Sequence, residues 1–198
     1  MARTIAKDHD EKRAQILRAA ARVFATEGFD RASMVQVAEG CGISKANLYH
    51  YYGGKDAILF GILDEHLATL RDRVCGLDLS GMPPDEALQT CLREILLAYE
   101  GADHEHRLQV DYTDKLAPEQ QQALRGYQKE LVGFVSALLM RNAPQVFSAD
   151  AEKLRAATMS VFGMLNWFYM WNAGADAAER QRYAQLVTRM TLGGLPAI

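Results

Sequence analysis

The chain has 198 residues, 49% of them hydrophobic and 24% charged, with five prolines and fifteen glycines. Such proportions belong to a packed globular protein and exclude extensive disorder, collagen-like repeats and low-complexity sequence. The formal charge of −3 is uneven, with nine Lys/Arg against seven Asp/Glu through Phe60 and thirteen against eighteen beyond it. A mildly basic head on an acidic body points to a polyanion as partner of the head alone.

The longest apolar stretch, 161–171, is well short of the roughly 20 residues that a membrane span needs. The first ten residues are polar and charged, so no secretory h-region is expected there. Cys41, Cys75 and Cys91 are too few and too scattered for a disulfide framework or a zinc site. The expectation is a cytoplasmic protein with free thiols, no metal, no cofactor and no membrane partner.

Helical periodicity runs through the whole chain, and strand patterning is absent. Over 10–27, Ile16, Leu17, Ala20, Val23 and Phe24 fall on one stripe, and Gly28 is placed to stop the helix. Ser33 can cap a second, short helix that Gly42 ends, and Ser44 can cap a third that runs to Tyr51 before Gly53-Gly54. A fourth helix starts near Lys55 and turns Ile58, Leu59, Ile62, Leu63, Leu67 and Leu70 inward. After a Gly/Pro-containing connection over 77–84, further helices are predicted over 85–100, 105–116, 118–141, 149–172 and 176–192. The fold class is all-α with about nine helices.

The second and third helices have the marks of a DNA-binding helix-turn-helix. Ala38 is small where two helices cross closely, Gly42 tolerates a positive φ in the turn, and Leu48 points back into the pair. Val37, Cys41 and Ile43 fill the cleft between them. Left outside on the third helix are Ser44, Lys45, Ala46, Asn47, Tyr49, His50 and Tyr51. Asn and Lys read base edges, and Ser, Tyr and Lys suit phosphate oxygens.

The segment 33–59, with Ala14-Gln-Ile-Leu-Arg-Ala-Ala and Phe24-Ala-Thr-Glu-Gly-Phe29 before it, resembles the DNA-binding signature of the TetR (tetracycline repressor) family. The resemblance covers roughly residues 10–63. Ala46-Asn47 stand where Gly-Thr is common and Tyr52 where Phe is usual, departures that bear on operator preference. The resemblance implies a helix-turn-helix domain over 1–54 and a larger ligand-binding and dimerisation domain over 55–198. It implies a homodimeric repressor on a pseudo-palindromic double-stranded operator, released by a small-molecule inducer. By position, Lys45, Asn47 and Tyr49 would face bases, Ser33, Ser44, Tyr51 and Lys55 phosphates, and His50 either one.

In the C-terminal part, Phe162, Asn166 and Tyr169 share one helical face and Gly163, Trp167 and Trp171 another. A glycine inside a helix costs about 1 kcal/mol against alanine, so Gly163 suggests a close approach, and the second face is assigned to the dimer. Asn166 needs a partner within its apolar run, for which a ligand or a backbone carbonyl would serve. The run Gly-Met-Leu-Asn-Trp followed by a second Trp resembles TetR members that respond to acyl-CoA thioesters. That implies cations for the phosphates, with Arg93, Arg107, Lys115, Arg125, Lys129, Arg141 and Arg180 as candidates. It also implies an apolar tunnel for the acyl part, for which Leu92, Leu96, Tyr99, Val110, Tyr127, Leu131, Phe134, Phe162 and Tyr169 are candidates, with Asn166 as a polar ligand contact. The alternatives are a regulator answering another hydrophobic molecule, or a DNA-binding dimer without a ligand. Asp103-His104-Glu105-His106 has a metal-like composition, but neighbours on a helix point apart, so a solvated patch is expected. No catalytic constellation emerges.

Overall fold

The computed structural model describes residues 2–195. Ten α-helices and one 3₁₀ turn occur among them: α1 Ala2–Glu27, α2 Met34–Gly40, α3 Lys45–Tyr51, α4 Lys55–Cys75, α5 Pro84–Ala98, α6 Asp103–Tyr112, the 3₁₀ turn Thr113–Lys115, α7 Pro118–Asn142, α8 Pro144–Phe147, α9 Ala151–Trp171 and α10 Ala177–Gly194. Two of these differ from the sequence expectation. Helix α1 begins at Ala2 rather than near residue 10, because its polar first turns carry no apolar stripe by which a sequence reading would see them. The one-turn α8 occupies what reads as a break, since Pro144 at its first position has no amide hydrogen to lose.

The helix boundaries follow local chemistry. Ser33 accepts the Gln36 amide while the Gln36 side chain returns to the Ser33 amide, a reciprocal capping box. Ser44 accepts the Asn47 amide at the start of α3, and Asp176 with Glu179 repeats the box at α10. Gly28 at φ +82° and Gly42 at φ +64° take the left-handed turns that end α1 and join α2 to α3.

The chain divides into two compact units. Residues 2–66 with 104–124 form the first, and residues 67–103 with 125–195 the second. In the first, Ile16, Ala20 and Phe24 of α1 are buried with Val37 of α2, Leu48 of α3 and Ile58, Leu59, Ile62 and Leu63 of α4. Phe24 meets Phe29 edge-on at 5.1 Å between ring centres, and Phe29 touches Tyr112 of α6 at 5.5 Å. Among the described residues no helix is long and apolar enough to cross a membrane.

In the second unit, α10 packs along α5, and both meet α9. Leu88, Leu92, Ile95 and Leu96 of α5, Leu165 and Phe168 of α9, and Ala184 and Val187 of α10 are buried. Arg180 lies at 1% exposure in this core. Its guanidinium donates to the carbonyl oxygens of Ala175 at 3.0 Å and Leu96 at 3.4 Å, and meets Asp103 Oδ1 at 3.4 Å. A buried cation persists only when such acceptors surround it, so Arg180 is a structural cation rather than a free phosphate ligand.

Candidate nucleic-acid interface and effector region

Leu48 of α3 is fully buried, while Ser44, Lys45, Ala46, Asn47, Tyr49 and His50 are exposed and Tyr51 is half-buried. One inward leucine in a seven-residue helix leaves nearly every other side chain for a partner. The Lys45 ammonium sits 5.9 Å from the centre of the Tyr49 ring, and Tyr51 stacks on His9 of α1 at 5.0 Å. Beneath α3, the α2 side of the pair is closed by Val37 and Ala38, with Cys41 and Ile43 half-buried. The Ile43 amide donates to the Ala38 carbonyl at 3.0 Å, and Cys41 Sγ lies 3.9 Å from the Ile16 carbonyl oxygen. Burial pushes the Cys41 thiol above its ordinary range, as it does for Cys75, so neither has the depressed pKa of a reactive thiolate.

The phosphate-type residues are held in different ways. The hydroxyl oxygens of Ser33 and Ser44 cap their helices, which fixes both side chains at helix N-termini where backbone amides point outward. Lys55 opens α4, and its ammonium donates to the carbonyl oxygens of Phe29 at 2.8 Å and Asp30 at 3.1 Å. It therefore fastens the α1–α2 loop to α4. On the other flank of that loop, Lys115 pairs with the Asp30 carboxylate at 2.5–2.6 Å, an acceptor for Lys115 that lies far away in sequence.

The residues read as effector contacts fall in both units. Arg107 belongs to the first, is exposed on α6 and lies 3.6 Å from Asp111. Leu96, Tyr99, Tyr127, Phe134, Phe162, Asn166 and Tyr169 belong to the second. Leu96, Tyr99 and Phe162 are buried, and the other four half-buried. The Tyr99 hydroxyl donates to Asn166 Oδ1 at 2.9 Å, so the amide in the apolar run is met by a phenol. Burial alone drives the Tyr99 hydroxyl far above its usual range, keeping it a neutral donor. The Arg71 guanidinium lies 5.0 Å from the centre of the Tyr127 ring.

Three readings of the body change. Val110 is 59% exposed, because α6 turns His106 and Leu108 inward and position 110 falls on the outer side. His106 is only 2% exposed, not part of a solvated patch, and its ring meets His66 of α4 at 6.3 Å. Among the described residues, no cluster of three or more His, Cys, Asp or Glu side chains could hold a metal ion. Arg141 donates to the Met82 carbonyl and Arg93 to Glu94, which removes both from the unpartnered cations.

Gly163, Trp167 and Trp171 are exposed on α9, the two tryptophans at 60% and 58%. Among the described residues, apart from its chain neighbours and the helix's own backbone, nothing lies within 4 Å of where a Gly163 side chain would begin. Met159 and Met170 on α9 and Leu186 and Met190 on α10 are exposed as well. Trp171 packs edge-on against Phe168 and Tyr183, with ring centres 5.0 and 5.3 Å away.

Residues 16–62 match the family model for bacterial regulatory proteins of the tetR family, and residues 81–195 match that for the tetracyclin repressor-like C-terminal domain. An uncharacterized HTH-type transcriptional regulator of Bacillus subtilis, YerO, is 27% identical over 77% of this chain and 52% of its own length. The HTH-type transcriptional repressor KstR2 of Mycobacterium tuberculosis is 31% identical over 56% of this chain and 54% of its own. The chain thus spans about half the length of these curated relatives. A TetR-family regulator from Bordetella parapertussis superposes with a TM-score of 0.84 at 27% identity, covering 94% of this chain and 96% of that one. AibR, solved in complex with isovaleryl coenzyme A and operator DNA, shares the fold at a TM-score of 0.76 and 23% identity, over 90% and 97% of the two chains. With family models matching both parts and an outward-facing α3 on a buried helix pair, the chain belongs to the TetR family of bacterial transcriptional regulators.

Proposed function

We propose that this regulator is a homodimeric repressor whose α3 enters the major groove of a pseudo-palindromic operator and which a small hydrophobic inducer releases. The observation that carries the reading is the division of α3 into one buried leucine and an exposed set of DNA-compatible side chains. Lys45, Asn47 and Tyr49 would contact bases, and Ser33, Ser44, Tyr51 and Lys55 phosphates, with His50 touching either. The reading head corresponds to residues 1–54, and 55–198 carry effector binding and dimerisation.

A second copy would cover the exposed face of Gly163, Trp167 and Trp171. A repressor dimer on DNA needs its two recognition helices about 34–36 Å apart or somewhat wider. It typically buries on the order of 2,000 Å² or more. The inducer class favoured is an acyl-CoA thioester. Leu96, Tyr99, Tyr127, Phe134, Phe162, Asn166 and Tyr169, all of the second unit, would receive its acyl part. The isovaleryl coenzyme A held by AibR and the repressor role of KstR2 support this reading by analogy.

The test is an anisotropy titration on DNA enriched by binding-site selection, followed by addition of acyl-CoA thioesters of graded length. Saturable, salt-sensitive binding that a thioester reverses is the expected result. Binding that no thioester reverses removes the inducer class, and absent sequence preference removes the operator reading.

A further inference from the structure

The first unit contains a small cleft that the DNA-reading surface does not use. It lies between the C-terminal end of α1 and α6, encloses about 180 Å³, and is lined by Thr26, Gly28, Arg31, Arg107, Asp111 and Tyr112 among others. Two guanidinium groups thus face one cavity against a single carboxylate. Among the described residues each has a single polar partner there. Arg31 donates its Nε to the Glu27 carbonyl at 2.8 Å, which caps the end of α1 and holds the side chain in place with its terminal nitrogens still to be used. Arg107 Nε lies 3.6 Å from Asp111, close enough to be steered but beyond hydrogen-bond length.

Gly28 lines the floor. A Cβ at this position would sit 3.7 Å from Arg31 Nη2 and 3.8 Å from the Tyr112 hydroxyl oxygen, so both donors border the space that the glycine leaves empty. Tyr112 is fixed from behind by Phe29 at 5.5 Å and by the Lys115 ammonium 5.4 Å from its ring centre. Two guanidinium forks with the Thr26 and Tyr112 hydroxyls offer more donors than the two oxygens of a carboxylate can accept. A tetrahedral oxyanion matches that number, and bidentate arginine contacts are its strongest recognition mode.

We propose that this cleft is a phosphate-binding site, formed by Arg31 and Arg107, for the phosphate group of a small-molecule effector. An occupant would tie α6 to the loop that leads through Arg31 into the Ser33 cap of α2. The proposal deepens the effector reading above, yet inorganic phosphate as the probe makes the two separable. Thioesters can release DNA from a chain that ignores phosphate, and phosphate can bind a chain that no thioester affects.

The experiment is calorimetric titration of the full chain with inorganic phosphate, with sodium chloride at matched ionic strength as control. Saturable binding is expected, weakened about ten- to hundredfold by Arg31→Gln and by Arg107→Gln, as loss of a charged hydrogen-bonding partner predicts. Asp111→Asn should tighten binding by removing the competing carboxylate, and this variant keeps the test decisive if an arginine variant fails to fold. Non-saturable heat equal to that of chloride, or binding that survives loss of either arginine, overturns the proposal. A second arm titrates operator DNA in phosphate-free buffer. If both arginine variants lose DNA affinity with a salt slope lower by about one each, the occupant is the DNA backbone and the small-molecule assignment falls.

Discussion

The Tyr99 hydroxyl donates to the amide oxygen of Asn166 at 2.9 Å, joining the end of α5 to the middle of α9 through two side chains. The phenol is buried in the second unit, among the residues proposed to receive the inducer. A polar bond in such surroundings fixes the spacing of the two helices more sharply than apolar contact does. Tyr99→Phe should lower the free energy of unfolding by about 1–2 kcal/mol. Asn166→Leu should behave similarly, and the double variant should show a coupling of about 1 kcal/mol in urea titrations. Additive single effects would mean that the bond is not formed in solution.

Asn47 is exposed on α3, and its backbone amide is held by the Ser44 cap. Removing its side chain leaves the helix start intact and takes away one base-edge reader. Asn47→Ala should relax preference at one or two base pairs by about 1–3 kcal/mol each, without unfolding the head. Binding-site selection with the variant decides this, and an unchanged selected sequence rules out Asn47 as a base contact.

Lys55 has two duties to separate. Its ammonium holds the Phe29 and Asp30 carbonyls, and the proposed interface also gives it a phosphate. Lys55→Met should weaken DNA binding about equally on all sequences. If the phosphate contact is real, the slope of log affinity against log salt falls by about one. A lower unfolding midpoint with an unchanged salt slope would assign Lys55 to the loop alone.

How much of this was legible in the sequence differs between the two units. The helix-turn-helix was readable because its constraints are local: Ser33 and Ser44 cap helices three residues ahead, Gly42 takes the turn, and Leu48 packs back a few residues away. The relationships that span the chain were not. Arg180 carries no sequence mark of burial, since its acceptors are the carbonyls of residues 96 and 175 and the carboxylate of Asp103. The facing of His106 and His66 depends on the approach of α4 and α6, which periodicity within either helix cannot supply. Arg31 carries no sequence mark either, because only the fold brings it to the cleft with Arg107. On α9 the two faces were legible from spacing, and Phe162 is buried where Gly163 and Trp167 are exposed.

Trp167 is 60% exposed in the single chain, beside Gly163 and near Trp171. A large aromatic ring in water is a typical anchor of a protein interface, and aromatic residues dominate the energetics of such contacts. Trp167→Glu should shift sedimentation from dimer to monomer and lower operator affinity by at least tenfold, with helicity unchanged. A variant that remains dimeric at micromolar concentration would place the second copy elsewhere.

His66 gives the chain an acid-side instability with a defined sign. Its Nε2 atom has no accessible surface, and burial, assisted by the neighbouring His106, lowers its pKa from 6.5 to about 4. The folded state therefore keeps a neutral ring where the unfolded chain binds a proton. Stability is complete above about pH 6.5, falls as the pH drops through that value, and stops falling from this source below about pH 4. A shift of this size corresponds to about 3 kcal/mol at most. Between pH 6.5 and 5 carboxylates contribute little, so urea titrations across that interval isolate histidine. The slope should be steep for the parent chain and much shallower for His66→Gln, whose amide does not titrate. An equal slope in both would mean that His66 is already protonated in the folded protein or is not the group that titrates.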